Sequence, residues 1–143
     1  NVVLGQEPRA GGVFVDRAAM RERARAVLRR LGIALDPDTR LGDLTIAQQQ
    51  LVEICKSLVH RPRLLILDEP SLGLSPLLVE EMFALIHRLN AQGLAILLVE
   101  QNVVQSLELA SRAYIMENGV FALSGPAPEV ASDPGLRRAY LGM

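Results

Sequence analysis

The 143 residues carry a formal net charge of −1, which leaves no overall basic footprint for nucleic acid, and one cysteine, Cys55, which excludes an internal disulfide and suits a reducing cytosol. Half of the residues are hydrophobic but only 3% are aromatic, a composition that fits one domain with an aliphatic α/β core burying roughly two-thirds of the unfolded surface. The longest apolar runs, such as Leu94 to Val99, are far too short to span a bilayer.

Residues 1–15, with Gly5, Pro8, Gly11 and Gly12, read as loop. Opening on Asn1 without a methionine, and reaching Gly5, Glu7 and Pro8 at once, the chain is expected to lack a signal peptide and to be a piece of something longer. Asp16 can cap a helix over about 17–31 that carries Met20, Ala24, Val27, Leu28 and Leu31 on one face. Arg21, Arg25 and Arg29 recur every four residues on another face, a pattern read as a solvated surface, and Gly32 ends the helix. Asp36-Pro37-Asp38 makes a turn.

Thr45 and Gln48 stand three apart, the spacing of a capping box, and open a second helix whose buried face is Leu51, Ile54, Cys55, Leu58 and Val59. Cys55 reads as core, because no His or second Cys lies at ligand spacing. Past Pro62, Leu64 to Leu67 run without a polar break into Asp68 and Glu69, and Pro70 stops the strand. Such an unalternated run suits a parallel strand buried on both faces, with its two carboxylates at the carboxyl end, where open α/β sheets bind ligands.

Residues 71–76 form a turn into a third helix, with Ser75 at the cap and Pro76 at the first helical position. Val79, Phe83, Ile86 and Leu89 point inward, His87 reads as surface, and the helix ends near Gly93. Leu94 to Val99 is a second apolar strand, again closed by a carboxylate, Glu100, then Gln101 and Asn102; Asn102 caps a short helix through Ala110. Asn118-Gly119, between Ala113–Glu117 and Val120–Leu123, predicts a hairpin with a type I′ turn. Asp133-Pro134 starts a last helix ending at Leu141. Strand, helix, strand, helix and hairpin give an α/β sheet with parallel members.

The segment LTIAQQQLVEICKSL, followed about twenty residues on by LLILDEPS, then LGLSP and LLVEQN, resembles the second half of an ABC-transporter ATPase cassette, and the likeness covers nearly the whole chain. It implies an α/β, P-loop NTPase-like fragment: a mostly parallel sheet, flanking helices and a C-terminal β-hairpin, with the Walker A part absent. It also implies one partial domain over 1–143, with a signature-bearing helical region at about 16–62 and a Walker B and switch region at about 63–143.

By that resemblance Asp68 matches the Walker B aspartate that holds Mg²⁺ through water, and Glu69 matches the general base that polarises the attacking water. Phosphoryl transfer is mostly positioning and charge neutralisation, so it needs one group on the metal and another on the nucleophile. Leu44, Thr45, Ile46, Ala47 and Gln48 fall on the signature motif, whose helix N-terminus faces the ATP γ-phosphate of a partner cassette. Leu72, Gly73, Leu74 and Ser75 fall on the loop that links the two sites across the dimer, and Gln101 falls where most relatives place a switch histidine.

The pattern departs from the family at several positions. Ile46 and Ala47 stand where glycines are usual, Gln101 cannot become a charged imidazolium, and Ser75 replaces a frequent aspartate. No Gly-x-x-x-x-Gly-Lys-Ser/Thr occurs, so the phosphate-cradling loop is missing, and the strand matching 94–99 is expected to have an unpaired apolar edge.

The front of the chain, with IAQQQLVEICKSL, resembles sugar-importer ATPases, whereas DEPSLGLSP, LLVEQNVVQSLELASRAYIMENGV and the closing AYLG resemble those of branched-chain amino-acid importers. The rear match is longer, which favours the amino-acid class. The resemblance implies ATP and Mg²⁺ as cofactors, a second cassette and transmembrane permease subunits as partners, and indirectly a periplasmic or extracellular substrate-binding protein. It places the protein on the cytoplasmic face of the membrane and implies no nucleic acid. Two rivals stay open: a non-catalytic remnant that at most docks on another cassette, and a soluble repair or translation cassette of the same superfamily.

Overall fold

A computed structural model describes residues 2–3, 5, 7–10 and 14–140. Helix α1 (Arg17–Leu31) starts where Asp16 Oδ1 accepts the amide of Ala19 at 3.0 Å. It ends where Gly32 takes φ +67°, letting its N–H reach Arg29 O and that of Ile33 reach Leu28 O. Helix α2 (Ile46–Val59) carries the expected reciprocal cap: Gln48 N–H donates to Thr45 Oγ1 at 3.3 Å, and Thr45 N–H donates to Gln48 Oε1 at 3.0 Å.

Residues 1–15 hold more than loop, since β1 (Arg9–Ala10) and β2 (Phe14–Val15) pair antiparallel. Strands β3 (Leu64–Asp68) and β4 (Ala95–Val99) pair parallel in register from Leu64↔Ala95 to Asp68↔Val99, with α3 (Pro76–Ala91) as the crossover. Helix α4 (Val103–Leu109), capped by Asn102, leads to the hairpin of β5 (Arg112–Glu117) and β6 (Val120–Pro126). Asn118 and Gly119 have φ +48° and +80°, as the tight turn requires, and one bulge shifts the register after Ile115. Strand β6 runs three residues beyond the expected Leu123, and a helix absent from the sequence reading, α5 (Ala127–Ala131), precedes α6 (Pro134–Tyr140). The expected end of the last helix, Leu141, lies outside the described residues.

The core joins Ala24, Leu28 and Leu31 of α1 to Val52, Ile54 and Cys55 of α2, Leu65 and Leu67 of β3, and Met82, Leu85, Ile86 and Leu89 of α3. All of these are aliphatic or sulfur-bearing, so packing rests on dispersion and area removed from water rather than on ring stacking. Arg21, Arg25 and Arg29 are exposed as expected, Arg21 pairing with Asp38 at 2.6 Å and Arg29 with Glu22 at 2.7 Å.

The expected α/β architecture is present: β3–β4 is the parallel pair, β5–β6 the C-terminal hairpin, and among the described residues β1–β2 adds a further antiparallel pair. One expectation is corrected: β3 is not buried on both faces, for Leu65 is 6% exposed and packs on the helices while Ile66 is 62% exposed. Leu64, Ile66, Leu97 and Val99 form an open apolar face, because no described element covers it. An apolar run looks the same whether one face or two are covered, so the sequence could not separate these cases.

Candidate functional site

The alternation along β3 puts Asp68 in one row with Leu64 and Ile66, so its carboxylate ends the open face and is itself exposed. Glu69 follows with φ +45°, a left-handed conformation that glycine adopts freely and glutamate does not. Its N–H donates to Val99 O at 2.8 Å, carrying the ladder one residue past the strand and fixing where the side chain leaves the backbone. From the end of β4, Gln101 Nε2 donates to Glu69 Oε1 at 2.9 Å. The two residues for which the family resemblance implies a catalytic role thus touch, although 32 positions separate them.

Between α2 and the carboxyl-terminal end of β3 lies a cleft of about 460 Å³. Ile46, Gln49 and Gln50 line one wall, Leu65 and Ile66 the other, and Asp68, Glu69 and Pro70 one end. The start of α2 and the acidic pair therefore border a common space. Thr45 and Gln48 are engaged in the cap, and Gln49 Nε2 donates to Leu44 O at 2.9 Å, closing the entry to the helix. The amides of Ile46 and Ala47 precede the first intrahelical donor and are the positive end of the helix dipole. Of the two residues in glycine positions, Ala47 is 6% exposed and Ile46 is 63% exposed, so only Ile46 presents bulk to an approaching anion.

The loop after the acidic pair is tied to both neighbours. Leu72 N–H donates to Glu69 O at 3.0 Å and Leu74 N–H to Ser71 O at 3.2 Å, while Gly73 takes φ +76° to complete the turn. Leu74 packs against the core, and Leu72, Gly73 and Ser75 are exposed. Ser75 occupies the cap position of α3 but its side chain makes no capping bond. The sequence reading passed over two residues: Glu100, which accepts Ser71 N–H at 2.9 Å, and Gln50, which donates to Leu72 O at 3.3 Å. For Glu100 the available signal was a carboxylate directly after an apolar run; for Gln50 there was none, since it sits in a run of three glutamines.

Asp68 offers hard oxygen donors, and no group of three or more His, Cys, Asp or Glu side chains that could hold a metal occurs among the described residues. That donor set suits Mg²⁺, which keeps several waters and takes one or two carboxylates together with substrate phosphates, and it does not suit a caged ion.

The family model described as "ABC transporter" matches residues 2–72. The chain is 41% identical over 105 residues to the high-affinity branched-chain amino acid transport ATP-binding protein BraG of Pseudomonas aeruginosa, covering 73% of this chain and 45% of that one. It is 39% identical over 130 residues to the ribose import ATP-binding protein RbsA 3 of Rubrobacter xylanophilus, covering 91% of this chain and 26% of that one. The chain therefore spans less than half the length of either relative. Among solved structures it is similar to an ABC-transporter ATP-binding cassette crystallised in its ADP conformation, at 30% identity and a TM-score of 0.73 over 90% of this chain and 52% of the other. It is likewise similar to cbiO1 of Clostridium perfringens, part of the ABC transporter complex cbiONQ, at 28% identity and a TM-score of 0.74 over 99% and 55%.

Proposed function

Since this chain belongs to the ABC-transporter ATP-binding family, we propose that it forms the acidic-pair and signature half of an ATPase that drives an ABC importer on the cytoplasmic face of a membrane. The observation that carries the reading is the contact of Gln101 with Glu69 at the end of β3, on the cleft that also holds the start of α2.

In this reading Glu69 is the general base. Its carboxylate accepts a proton from the attacking water, and Gln101 holds one carboxylate oxygen so that the other points at that water. Asp68 would hold Mg²⁺ through water, and the ion would neutralise charge on the phosphates. The free amides at the start of α2, with Thr45 and Gln48 fixing the entry, would meet the γ-phosphate bound by a second cassette. Residues 72–75 would link the two sites. The phosphate-cradling loop has no counterpart in this sequence, so the site needs a second segment to supply it. Permease subunits, and through them a substrate-binding protein outside the membrane, are the remaining partners.

The test joins this chain to a relative's segment carrying the phosphate loop and measures ATP hydrolysis. Glu69→Gln is expected to leave ATP binding intact and to slow turnover by about 100-fold or more, as loss of a general base does. Hydrolysis unchanged by that substitution would remove Glu69 from the role. Should residues 1–143 alone bind ATP–Mg at micromolar affinity as a monomer, the half-site reading fails.

For cargo, the longer rear likeness and the match to BraG support branched-chain amino acids. A sugar is the second reading, because ribose-importer relatives match more of this chain at similar identity. Uptake of labelled leucine and ribose after deletion of the gene separates them.

A further inference from the structure

Two side chains with no part in the proposed reaction grip the loop between β3 and α3 from different sides. Glu100, half-buried directly after β4, accepts Ser71 N–H through Oε1 at 2.9 Å across 29 positions of sequence. Gln50, near the start of α2, donates Nε2–H to Leu72 O at 3.3 Å across 22 positions. Its own Oε1 is enclosed without a hydrogen-bond partner among the described residues, so this amide engages the loop through its donor end. The gripped turn is closed internally by Leu72 N–H on Glu69 O. The neighbour of Glu100, Gln101, holds the Glu69 carboxylate. One short turn is thus fastened to the end of β4, to α2 and to Glu69.

We propose that Glu100 is a positioning residue that sets Glu69 by clamping Ser71, and that Gln50 ties the clamped loop to α2. A hydrogen bond to an ionised acceptor is shorter and roughly twice as strong as a neutral one, so Glu100 is the firmer of the two holds. The looser Gln50 contact lets a shift of α2 reach the loop without breaking the clamp. The inference rests on the reading above only where it names Glu69 as the reacting group.

Amide hydrogen exchange and side-chain amide NMR on the chain without nucleotide test it. Glu100→Ala should raise exchange at Ser71 by roughly tenfold or more, since bonds to charged groups are the stronger class. It should also move the Gln101 side-chain amide resonance, while Leu65 and Leu67 keep their protection. Glu100→Gln, whose amide oxygen still accepts, should raise Ser71 exchange only a fewfold, and it decides the matter if the alanine variant does not fold. Gln50→Leu should raise exchange at Leu72 and Leu74 and leave Ser71 nearly unchanged. Unchanged Ser71 exchange in both Glu100 variants would overturn the proposal, as would a rise spread equally over β3. Failure of ATP binding would leave this exchange pattern standing, so the two readings fail separately.

Discussion

Gln101 donates its side-chain amide to a carboxylate oxygen of Glu69 at 2.9 Å, joining the ends of two parallel strands across the lip of the cleft. Removing it should free the carboxylate to rotate. In the proposed ATPase, joined to a phosphate-loop segment, Gln101→Ala is expected to lower kcat about tenfold with little change in KM, the scale of one hydrogen bond to a charged group. Gln101→His should add a step near pH 6.5 to the rate profile, because an imidazole titrates there and an amide does not. A steady-state pH profile of the three forms checks both outcomes.

The reciprocal cap of α2 is a stability element as well as part of the proposed site. Thr45→Ala removes the acceptor for Gln48 N–H and should cost about 1 kcal/mol. Thr45→Ser keeps the hydroxyl and should recover most of it. Urea unfolding midpoints at constant slope measure the difference.

Burial pushes the Cys55 thiol up from 9.0 to about 12. It should therefore resist thiol reagents at pH 8 until the chain is unfolded. A folded value above the unfolded one gives stability that is fully present below pH 9 and is lost as pH rises from 9 through 12. Urea midpoints measured across that window should fall with pH in the native sequence and fall less in Cys55→Ala, whatever the absolute cost of the substitution.

Leu65 and Ile66 are neighbours on opposite faces of β3, so they make a matched pair. Leu65→Ala should cost about 2–5 kcal/mol, as truncations in packed cores do. Ile66→Thr should stay within about 0.5 kcal/mol, while lowering the binding of a hydrophobic dye to the open face. Equal costs at the two positions would mean that something covers Ile66.

What was legible in the sequence was local. Asp16 and Ala19, Thr45 and Gln48, and Asn118 with Gly119 act within a few residues, so type and spacing alone specify them. The acidic pair was legible because a strand's last residue and a following proline fix where it must lie. The opposite holds for contacts that the fold brings together. Glu100 reaches Ser71 and Gln50 reaches Leu72 only after β4 and α2 have packed beside the loop, and neither has a spacing to detect. Ser75 marks the other limit: its position predicted the start of α3, yet its hydroxyl makes no capping bond and Pro76 shapes the first turn.

The positive φ of Glu69 sets stability against the proposed activity at one position. A β-carbon in that backbone conformation costs roughly 1–2 kcal/mol, a cost that glycine would not bear. Selection for a firmer fold alone would favour glycine there and would erase the carboxylate. Any glutamate retained at residue 69 is therefore kept against the local preference of the chain. Stabilising searches that ignore chemistry should find this residue among their first targets, and should remove the proposed general base when they change it.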